Sequence, residues 1–338
     1  MGGAGMRDAR LLTRILADPS QASTVRDWTA LLCVARAEAV AGTLAFRLDG
    51  VPVPANVGAM LADIRRDAAQ ARTQAVWEAE MARRALAATG VPIVLLKGTA
   101  YATADLTPAP GRSIGDLDIL VPRAALADVE EALLAAGWEW VKENAYDDLY
   151  YRRWMHELPP LIHRERDRMI DVHHTILPLT ARRTPDAQAM IDDSVALPNG
   201  LRVLAPEDMV LHAVAHLFAD GDLAGGLRNL WDIDRLLRAF AVAPDWWCRL
   251  EARARRHDLL APTRRALRLS ARFYETPLDA GLAGRSATDR LYARRLLARD
   301  GWGRPRRRGT RFGFYVRSHW LRMPPMMLAR HLLEKARR

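Results

Sequence analysis

The sequence predicts an α+β protein in which a small mixed β-sheet core is flanked by helical N- and C-terminal regions. Three observations predict this fold class. Apolar residues first recur every three or four positions, the spacing of amphipathic helices. Short apolar runs bounded by glycine and proline follow, which is typical of strands, and helical spacing then returns. We therefore expect a helical region at 1–90, an α/β core at 91–205 and a helical region with a basic tail at 206–338.

Composition excludes several classes of protein. The chain has 338 residues, half of them hydrophobic, so it can bury a sizeable core and is not a disordered chain. Its two cysteines are too few for a disulfide framework or a multi-cysteine zinc module, and they favour a reducing compartment. The N-terminus lacks the apolar segment of a secretory signal, and no stretch reaches the roughly 18 apolar residues of a membrane span. We expect a cytoplasmic protein.

The N-terminal region is expected to be helical throughout. An apolar stripe marks a first helix at 11–16, and a second helical stretch covers 30–44. Pro52 then breaks the pattern, because proline removes a backbone donor. Apolar residues return at helical spacing over 61–86, which predicts one long amphipathic helix closed by Gly90.

The middle region combines short strands with helices. Its apolar runs predict strands at 92–96, 116–121 and 138–142, and a hairpin of 156–163 with 169–174. A short helix is expected to begin after the first strand, at Lys97. Pro122 opens another helix, which is capped by Gly137.

The C-terminal region is helical again. Pro206 starts a helix whose first turn carries Glu207 and Asp208, acids that suit the positive end of the helix dipole. Further elements are expected as a helix at 227–240, one or two helices at 246–269, a Gly/Arg-rich linker at 301–313 and a basic helical tail at 315–338.

The clearest chemical signal comes from two acids in an apolar strand. Asp116 and Asp118 are separated by one residue, so in a strand they project from the same face while Leu117 enters the core. Adjacent carboxylates repel unless a cation lies between them, and Mg²⁺ prefers such oxygen ligands. Solvent-facing acids on an edge strand would give the same pattern. The strongly apolar flanks favour a metal site, because burying two unpaired acids is costly.

A turn just before this strand adds to the signal. Lys97, Gly98 and Thr99 follow an apolar run at the expected start of a helix. Gly98 would let the backbone approach a phosphate, whose charge Lys97 would neutralise, and the free N–H groups of a helix start bind anions. An ordinary strand-to-helix turn is the alternative interpretation.

A later strand carries a third acid. Asp171 lies in the apolar segment 170–173, and His173 shares its strand face. If this strand lies beside the strand of Asp116 and Asp118, the three carboxylates form one cluster. A surface acid is the alternative interpretation of Asp171.

Three segments in this order resemble the DNA polymerase β-type nucleotidyltransferase superfamily. They are 95–100 (LLKGTA), 112–121 (RSIGDLDILV) and 170–173 (IDVH). More narrowly, about residues 90–240 resemble the uncharacterised nucleotidyltransferase family. The turn at 97–99 replaces the superfamily's common Gly-Ser pair and is similar to the variant in abortive-infection toxin nucleotidyltransferases.

The resemblance implies a nucleotidyltransferase core with a metal-dependent site. Asp116, Asp118 and Asp171 would be the catalytic acids and would bind Mg²⁺ or Mn²⁺. A second group would handle the nucleotide: Lys97, Gly98, Thr99, Arg112, Ser113 and His173. For Arg112, a solvated loop arginine is an equally favoured interpretation.

The reaction implied is transfer of NMP from an NTP to an acceptor with release of pyrophosphate, assisted by two divalent ions. Relatives suggest tRNA, a small molecule, a peptide or a polysaccharide precursor as the acceptor. The rival hypothesis is a non-catalytic nucleotide- or RNA-binding protein on a degenerate nucleotidyltransferase fold. The intact acids argue against this rival.

Other polar residues support weaker hypotheses. His212 and His216 are four apart on a helix, a spacing that zinc ligands use, but no third ligand is evident and packed histidines are commoner. Asp232 and Asp234 repeat the Asp-X-Asp pattern. Residues two apart do not share a helix face, so we interpret these two acids as structural.

The C-terminal quarter is strongly basic. Residues 251–338 have a net charge of +16, with arginines crowded into the segment 304–338. One interpretation is a solvated charge run followed by a helix docked on the body of the protein. The other is an acidic partner, either RNA or an anionic membrane surface at which the protein would be peripheral.

Overall fold

A seven-stranded mixed β-sheet forms the centre of the computed structural model, which describes residues 4–142, 145–326 and 328. The strands are β1 (Val94–Leu95), β2 (Leu117–Leu120), β3 (Trp138–Trp140), β4 (Leu161–His163), β5 (Arg168–His173), β6 (Val195–Ala196) and β7 (Arg202–Val203). Their order across the sheet is β3-β4-β5-β2-β1-β7-β6. The α+β class expected from the sequence is confirmed.

The central strands carry the acids that the sequence singled out. β2 is buried along its whole length, pairs antiparallel with β1 and pairs parallel with β5. The parallel register sets Asp118 directly beside Asp171. Val121 extends the pairing by donating its backbone N–H to the His173 carbonyl at 2.9 Å.

The N-terminal region is helical, as predicted. It contains α1 (Ala4–Ala17), α2 (Trp28–Ala37), α3 (Ala41–Arg47) and α4 (Ala55–Ala85). The predicted stretch 30–44 is two helices, because Ala39 adopts a left-handed backbone conformation (φ 54°) between α2 and α3. After α4 a short 3₁₀ turn ends at Gly90, which has a φ of 67°, the conformation that glycine adopts most readily.

The middle region contains four α-helices in the described residues: α5 (Lys97–Thr103), α6 (Leu126–Ala135), α7 (Ala145–Trp154) and α8 (Ala187–Asp192). The predicted hairpin is the antiparallel pair β4–β5. β4 begins only at Leu161, after Pro159 and Pro160, because proline cannot donate a ladder hydrogen bond. The sequence did not predict α7, α8 or the β6–β7 hairpin, since these elements are short or weakly patterned.

The C-terminal region consists of helices packed on one another. They are α9 (Pro206–Val214), α10 (Gly226–Phe240), α11 (Trp246–Arg256), α12 (Leu260–Tyr274), α13 (Ala280–Ala283), α14 (Asp289–Leu296) and α15 (Arg308–Arg322). α9 continues as a π-helical turn, Ala215–Asp220. The segment 246–269 forms two helices, because Asp258 has a left-handed backbone (φ 53°) between α11 and α12. None of the described helices is long and apolar enough to cross a membrane.

The prediction of a linker at 301–313 is wrong for residues 308–313, because α15 begins at Arg308. Glycine weakens a helix, yet α15 buries Phe314, whose ring meets that of Tyr292 edge-on at 4.9 Å. This packing outweighs the low helix propensity of Gly309 and Gly313. Of the expected basic tail, residues 327 and 329–338 lie outside the described part of the chain.

One continuous hydrophobic core draws residues from all three predicted regions. α1 packs against α12, so the two helical regions contact each other directly. The proposed boundaries near 90 and 205 stay predictions.

A buried ion pair also joins distant parts of the chain. Glu38, only 2% exposed, accepts a hydrogen bond from Arg299 Nε at 2.7 Å and another from the Leu227 backbone at 3.2 Å. Removing one partner of such a pair leaves an uncompensated buried charge.

Glu38→Ala is expected to destabilise the protein by about 3–5 kcal/mol, because Arg299 would lose its buried carboxylate. The free energy of unfolding in urea measures this. Asp63→Ala is the control, since Asp63 and its partner Arg66 are 64% and 73% exposed and an exposed pair contributes at most about 1 kcal/mol. Equal effects of the two changes would contradict the prediction.

Candidate active site

Three carboxylates meet where β2 and β5 lie side by side. One oxygen each from Asp116, Asp118 and Asp171 lies within 4.8 Å of the other two. Asp116 precedes β2 and is exposed, Asp118 is 3% exposed, and Asp171 is half-buried. The structure thus brings together the three acids that the sequence pointed to, and it does so through the parallel register of the two strands.

The electrostatics of this cluster favour a cation. Burial, together with the charge of Asp118, raises the pKa of Asp171 to about 7. Burial also opposes ionisation of Asp118, but the hydrogen bond from His173 and the charge of Lys97 outweigh it and hold the pKa of Asp118 well below its usual value. A divalent cation would relieve the repulsion between these neighbouring carboxylates.

Lys97 contacts the cluster directly. Its Nζ lies 2.5 Å from Asp118 Oδ1, and its side chain is 25% exposed. The residue begins α5, two positions after the last residue of β1, and has a left-handed backbone with a φ of 48°. Burial opposes the charge of the amine, but Asp118 raises the pKa of Lys97 above its ordinary value.

Gly98 and Arg112 fit together. A Cβ on Gly98 would lie 2.0 Å from Arg112 Nη1 and 3.0 Å from Ile114 Cγ1. Arg112 is 7% exposed, so it is not a solvated loop arginine. Its Nε donates to Asp232 Oδ2 at 2.9 Å, and its guanidinium lies over the Tyr101 ring at 5.3 Å. Gly98 therefore leaves room for an arginine that ties the loop before β2 to α10.

The two acids interpreted as structural have separate partners. Asp232 accepts the hydrogen bond from Arg112, whereas Asp234, fully buried, accepts from Arg238 Nε at 2.9 Å and from Thr276 Oγ1 at 2.6 Å. The Asp-X-Asp pattern on α10 thus fastens two different parts of the fold.

A narrow cleft runs beside Asp116. Its lining includes Thr99, Gly115 and, from α4, Gln74 and Glu78. Thr99 is 2% exposed, whereas Ser113 is exposed on the loop before β2. Thr99 therefore lies buried in the cleft wall, whereas Ser113 is open to solvent.

His173 links the cluster to a residue that sequence reasoning missed. Its Nε2 lies 3.0 Å from Asp118 Oδ1, and its Nδ1 lies 3.4 Å from Glu157 Oε2. Glu157 forms an isolated antiparallel bridge with His173. No sequence pattern singled out Glu157, because it lies just before two prolines, outside any regular strand.

His212 and His216 lie close to Lys97 rather than in a metal site of their own. Burial and the charge of Lys97 lower the pKa of His212 well below its ordinary value, and that of His216 to about 3. Both imidazoles are therefore neutral near pH 7. Within the described residues, neither belongs to a group of three metal-ligating side chains.

Arg228 is a second residue that the sequence did not reveal. It lies on α10, is half-buried, and its Nε contacts Asn229 Oδ1 at 3.4 Å. Burial and the charge of Arg112 lower the pKa of Arg228, while the charges of Asp232 and Asp116 raise it, so the guanidinium is within electrostatic reach of Asp116. Helix α10 thus brings a cation toward the cluster.

A mixed sheet with three clustered carboxylates and a nearby lysine is the arrangement expected of the nucleotidyltransferase superfamily. A family model described as uncharacterised nucleotidyltransferase matches residues 24–275, and the chain belongs to this family. The resemblance stated from the sequence is confirmed, and the protein is a nucleotidyltransferase in the general sense of that family. No curated protein sequence matches the chain.

Gly98→Ala is expected to destabilise the protein by about 1–3 kcal/mol, because the added methyl group would displace a guanidinium held in place by Asp232. Denaturant unfolding measures the change. Gly58→Ala is the matched control: its Cβ would meet only Val53 Cγ2, at 3.6 Å, so in α4 it should be neutral or stabilising by up to about 1 kcal/mol. Similar stabilities of the two variants would refute this account of Gly98.

Proposed function

We propose that the chain transfers NMP from an NTP to an acceptor, with release of pyrophosphate, in a reaction that depends on Mg²⁺ or Mn²⁺. The observation that carries this proposal is the convergence of Asp116, Asp118 and Asp171 within 4.8 Å in a chain of the nucleotidyltransferase family. Three acids at this spacing form an oxygen-rich donor set of the kind that hard divalent cations prefer.

The three acids are proposed to hold the metal ions. Bound divalent ions would stabilise negative charge on the attacking and leaving oxygens during the displacement. Asp118 would bind from β2 and Asp116 from the residue just before it, while Asp171 would bind from β5 and help to activate the attacking hydroxyl. Asp118 is held in one orientation by Lys97 and His173, so it is positioned before substrate arrives.

We assign binding of the triphosphate to basic and hydroxyl side chains near the carboxylate cluster. Lys97, already at the rim of the cluster, would move from Asp118 to a phosphate oxygen once a metal ion neutralises the carboxylates. Arg228 would approach from α10, and hydroxyl donors would come from Thr99 on α5 and from Ser113 on the loop before β2. Arg112 is instead assigned a positioning role, since its Nε is bound to Asp232.

A non-catalytic nucleotide- or RNA-binding protein is the alternative. In a degenerate site we would expect at least one acid to be replaced or turned away from the others. All three carboxylates are retained and lie together, which supports the catalytic proposal.

Replacing Asp116 or Asp118 by alanine is expected to abolish transfer while the fold persists. The loss should be at least about 100-fold, because a bound divalent ion contributes several kcal/mol at the transition state. The assay incubates the protein with each labelled NTP, Mg²⁺ and a cell extract, and follows which molecule takes the label. Asp105→Ala, at a side chain 87% exposed, is the control. Wild-type activity in the double alanine variant would disprove the assignment.

Lys97→Ala is expected to raise the KM for NTP or lower turnover by about tenfold or more, because a charge-assisted contact to phosphate would be lost. Lys142→Ala is the control, since Lys142 is exposed and distant in sequence from every site segment. Steady-state kinetics of the two variants with the preferred NTP measure the difference. If both changes are equally harmless, Lys97 does not handle the triphosphate.

The choice of acceptor rests on the basic segment 304–338 rather than on the carboxylate cluster. Part of that segment is docked on the body of the protein, which agrees with one of the two interpretations of the sequence. Arg317 Nη2 donates to the Phe218 carbonyl at 2.7 Å, and Thr180 Oγ1 donates to the Arg322 carbonyl at 2.6 Å. The stretch before it is open, with Trp302 67% and Phe312 64% exposed.

Exposed aromatic rings among exposed arginines favour RNA over a small-molecule acceptor, because rings stack on bases while arginines bind phosphates. The open arginines are Arg304, Arg306 and Arg308. We therefore propose tRNA or a similar RNA as the first acceptor to test, ahead of a small molecule, a peptide, a polysaccharide precursor or an anionic membrane surface.

The triple variant Arg304→Glu, Arg306→Glu, Arg308→Glu is expected to bind bulk tRNA more weakly. The slope of log affinity against log salt should fall by up to about three, one for each lost phosphate contact. A control triple variant reverses Arg285, Arg290 and Arg294, which are also exposed. Binding to tRNA and to anionic vesicles is measured at low and moderate salt. If the wild type binds neither, the segment is structural and a small-molecule or peptide acceptor is favoured.

A further inference from the structure

A second group of metal-ligating side chains lies next to the three acids. One ligand atom each from His156, Glu157 and His173 lies within 4.8 Å of the other two. Two of the distances are shorter: His173 Nδ1 is 3.4 Å and His156 Nε2 is 3.6 Å from the same oxygen, Glu157 Oε2. The chain thus brings two imidazole nitrogens toward one carboxylate oxygen.

These two distances do not describe hydrogen bonds to a charged group. A charge-assisted N–H···O bond is about 2.7–2.9 Å long, and the observed separations are 3.4 and 3.6 Å. They do fit a shared metal ion. Zinc binds histidine nitrogen and carboxylate oxygen at about 2.0–2.2 Å in tetrahedral geometry, which separates neighbouring ligand atoms by roughly 3.3–3.6 Å.

The other nitrogen of His173 has the partner that a metal-bound histidine usually has. His173 Nε2 lies 3.0 Å from Asp118 Oδ1, and both side chains are 4% exposed. Metal-ligating histidines commonly donate their second ring N–H to a carboxylate, which fixes the ring and its tautomer. With the proton on Nε2, the lone pair of Nδ1 points toward Glu157.

His156 presents one ring nitrogen, Nε2, toward Glu157 Oε2 at 3.6 Å. A histidine that binds a metal ion must offer an unprotonated ring nitrogen. The side chain of His156 is 15% exposed, and its Nδ1 is buried with no hydrogen-bond partner among the described residues.

The backbone holds the three residues in register. Glu157 and His173 are paired by the antiparallel bridge described above, His174 N–H donates to the His156 carbonyl at 2.9 Å, and Leu158 N–H donates to the Val172 carbonyl at 2.9 Å. A site on such paired backbone is better preorganised than one on an open loop.

We propose that His156 Nε2, Glu157 Oε2 and His173 Nδ1 bind one Zn²⁺ ion, leaving a fourth position for water or a substrate atom. This site is separate from the metal site of the three aspartates and does not depend on nucleotidyl transfer. Zinc here would keep the His173 proton on Nε2, where it is donated to Asp118 Oδ1. The ion would thereby orient one of the acids of the candidate active site.

The test uses the purified chain, stripped with a chelator and titrated with Zn²⁺ or Co²⁺ in excess Mg²⁺ to saturate the aspartates. We expect one ion per chain and the visible absorption of tetrahedral Co²⁺. His156→Gln and Glu157→Gln should each weaken binding at least about tenfold. Three variants should retain binding: Asp116→Asn, and the matched controls His163→Gln and Glu139→Gln. Circular dichroism checks the fold of each.

Two results would overturn the proposal. The first is a wild-type protein that binds no zinc in excess Mg²⁺, which would leave His173 only as a residue that positions Asp118. The second is zinc binding that survives His156→Gln and Glu157→Gln but is lost in Asp116→Asn, which would place the ion among the aspartates. The conservative glutamine variants keep the side-chain volume, so a loss of binding with an unchanged spectrum identifies ligands.

Discussion

The parallel pairing of β2 with β5 is the constraint on which the rest of the site depends. It sets Asp118 beside Asp171 in the middle of the sheet, where like charges are costly and water is scarce. The neighbouring elements supply the compensation: Lys97 comes from the junction of β1 and α5, and His173 comes from the end of β5. The strand register and the surrounding charges therefore depend on each other. A shift of either strand by one residue would point an acidic side chain into the hydrophobic core.

The helical C-terminal region takes part in the same arrangement. Asp232 on α10 binds Arg112, which fills the space next to Gly98. His212 on α9 is buried, and burial together with the charge of Lys97 lowers its pKa. Arg228 lies one turn before Asp232 on α10, where burial lowers its pKa and the charge of Asp116 raises it. The C-terminal helices therefore contribute residues close to the candidate site, and one hydrophobic core runs through regions that composition alone separates.

The sequence predicted the parts of this protein that are local. Strand periodicity was enough to put Asp116 and Asp118 on one face, and helical spacing was enough to find α1, α4 and α10. Placing Asp171 beside these two acids required knowing which strands pair, and the family resemblance supplied that information. The Arg112–Asp232 pair spans 120 residues, and Glu157 is fixed by a single bridge, so neither leaves a local pattern. The first turns of α15, before residue 315, were missed because tertiary packing of Phe314 overrides two glycines.

The contacts of Asp118 bear on the order in which a metal ion and a nucleotide would bind at the candidate site. Lys97 Nζ and His173 Nε2 both approach the same oxygen, Oδ1, at 2.5 and 3.0 Å. A divalent cation held by Asp118 and Asp171 would bring positive charge to Asp118 and would thereby weaken the attraction between Asp118 and Lys97. On the proposed function, Lys97 would become available for a phosphate oxygen when a metal ion is bound, whereas His173 would stay in contact with Asp118. One carboxylate would then couple metal binding to nucleotide binding, because the same charge cannot fully satisfy both cations.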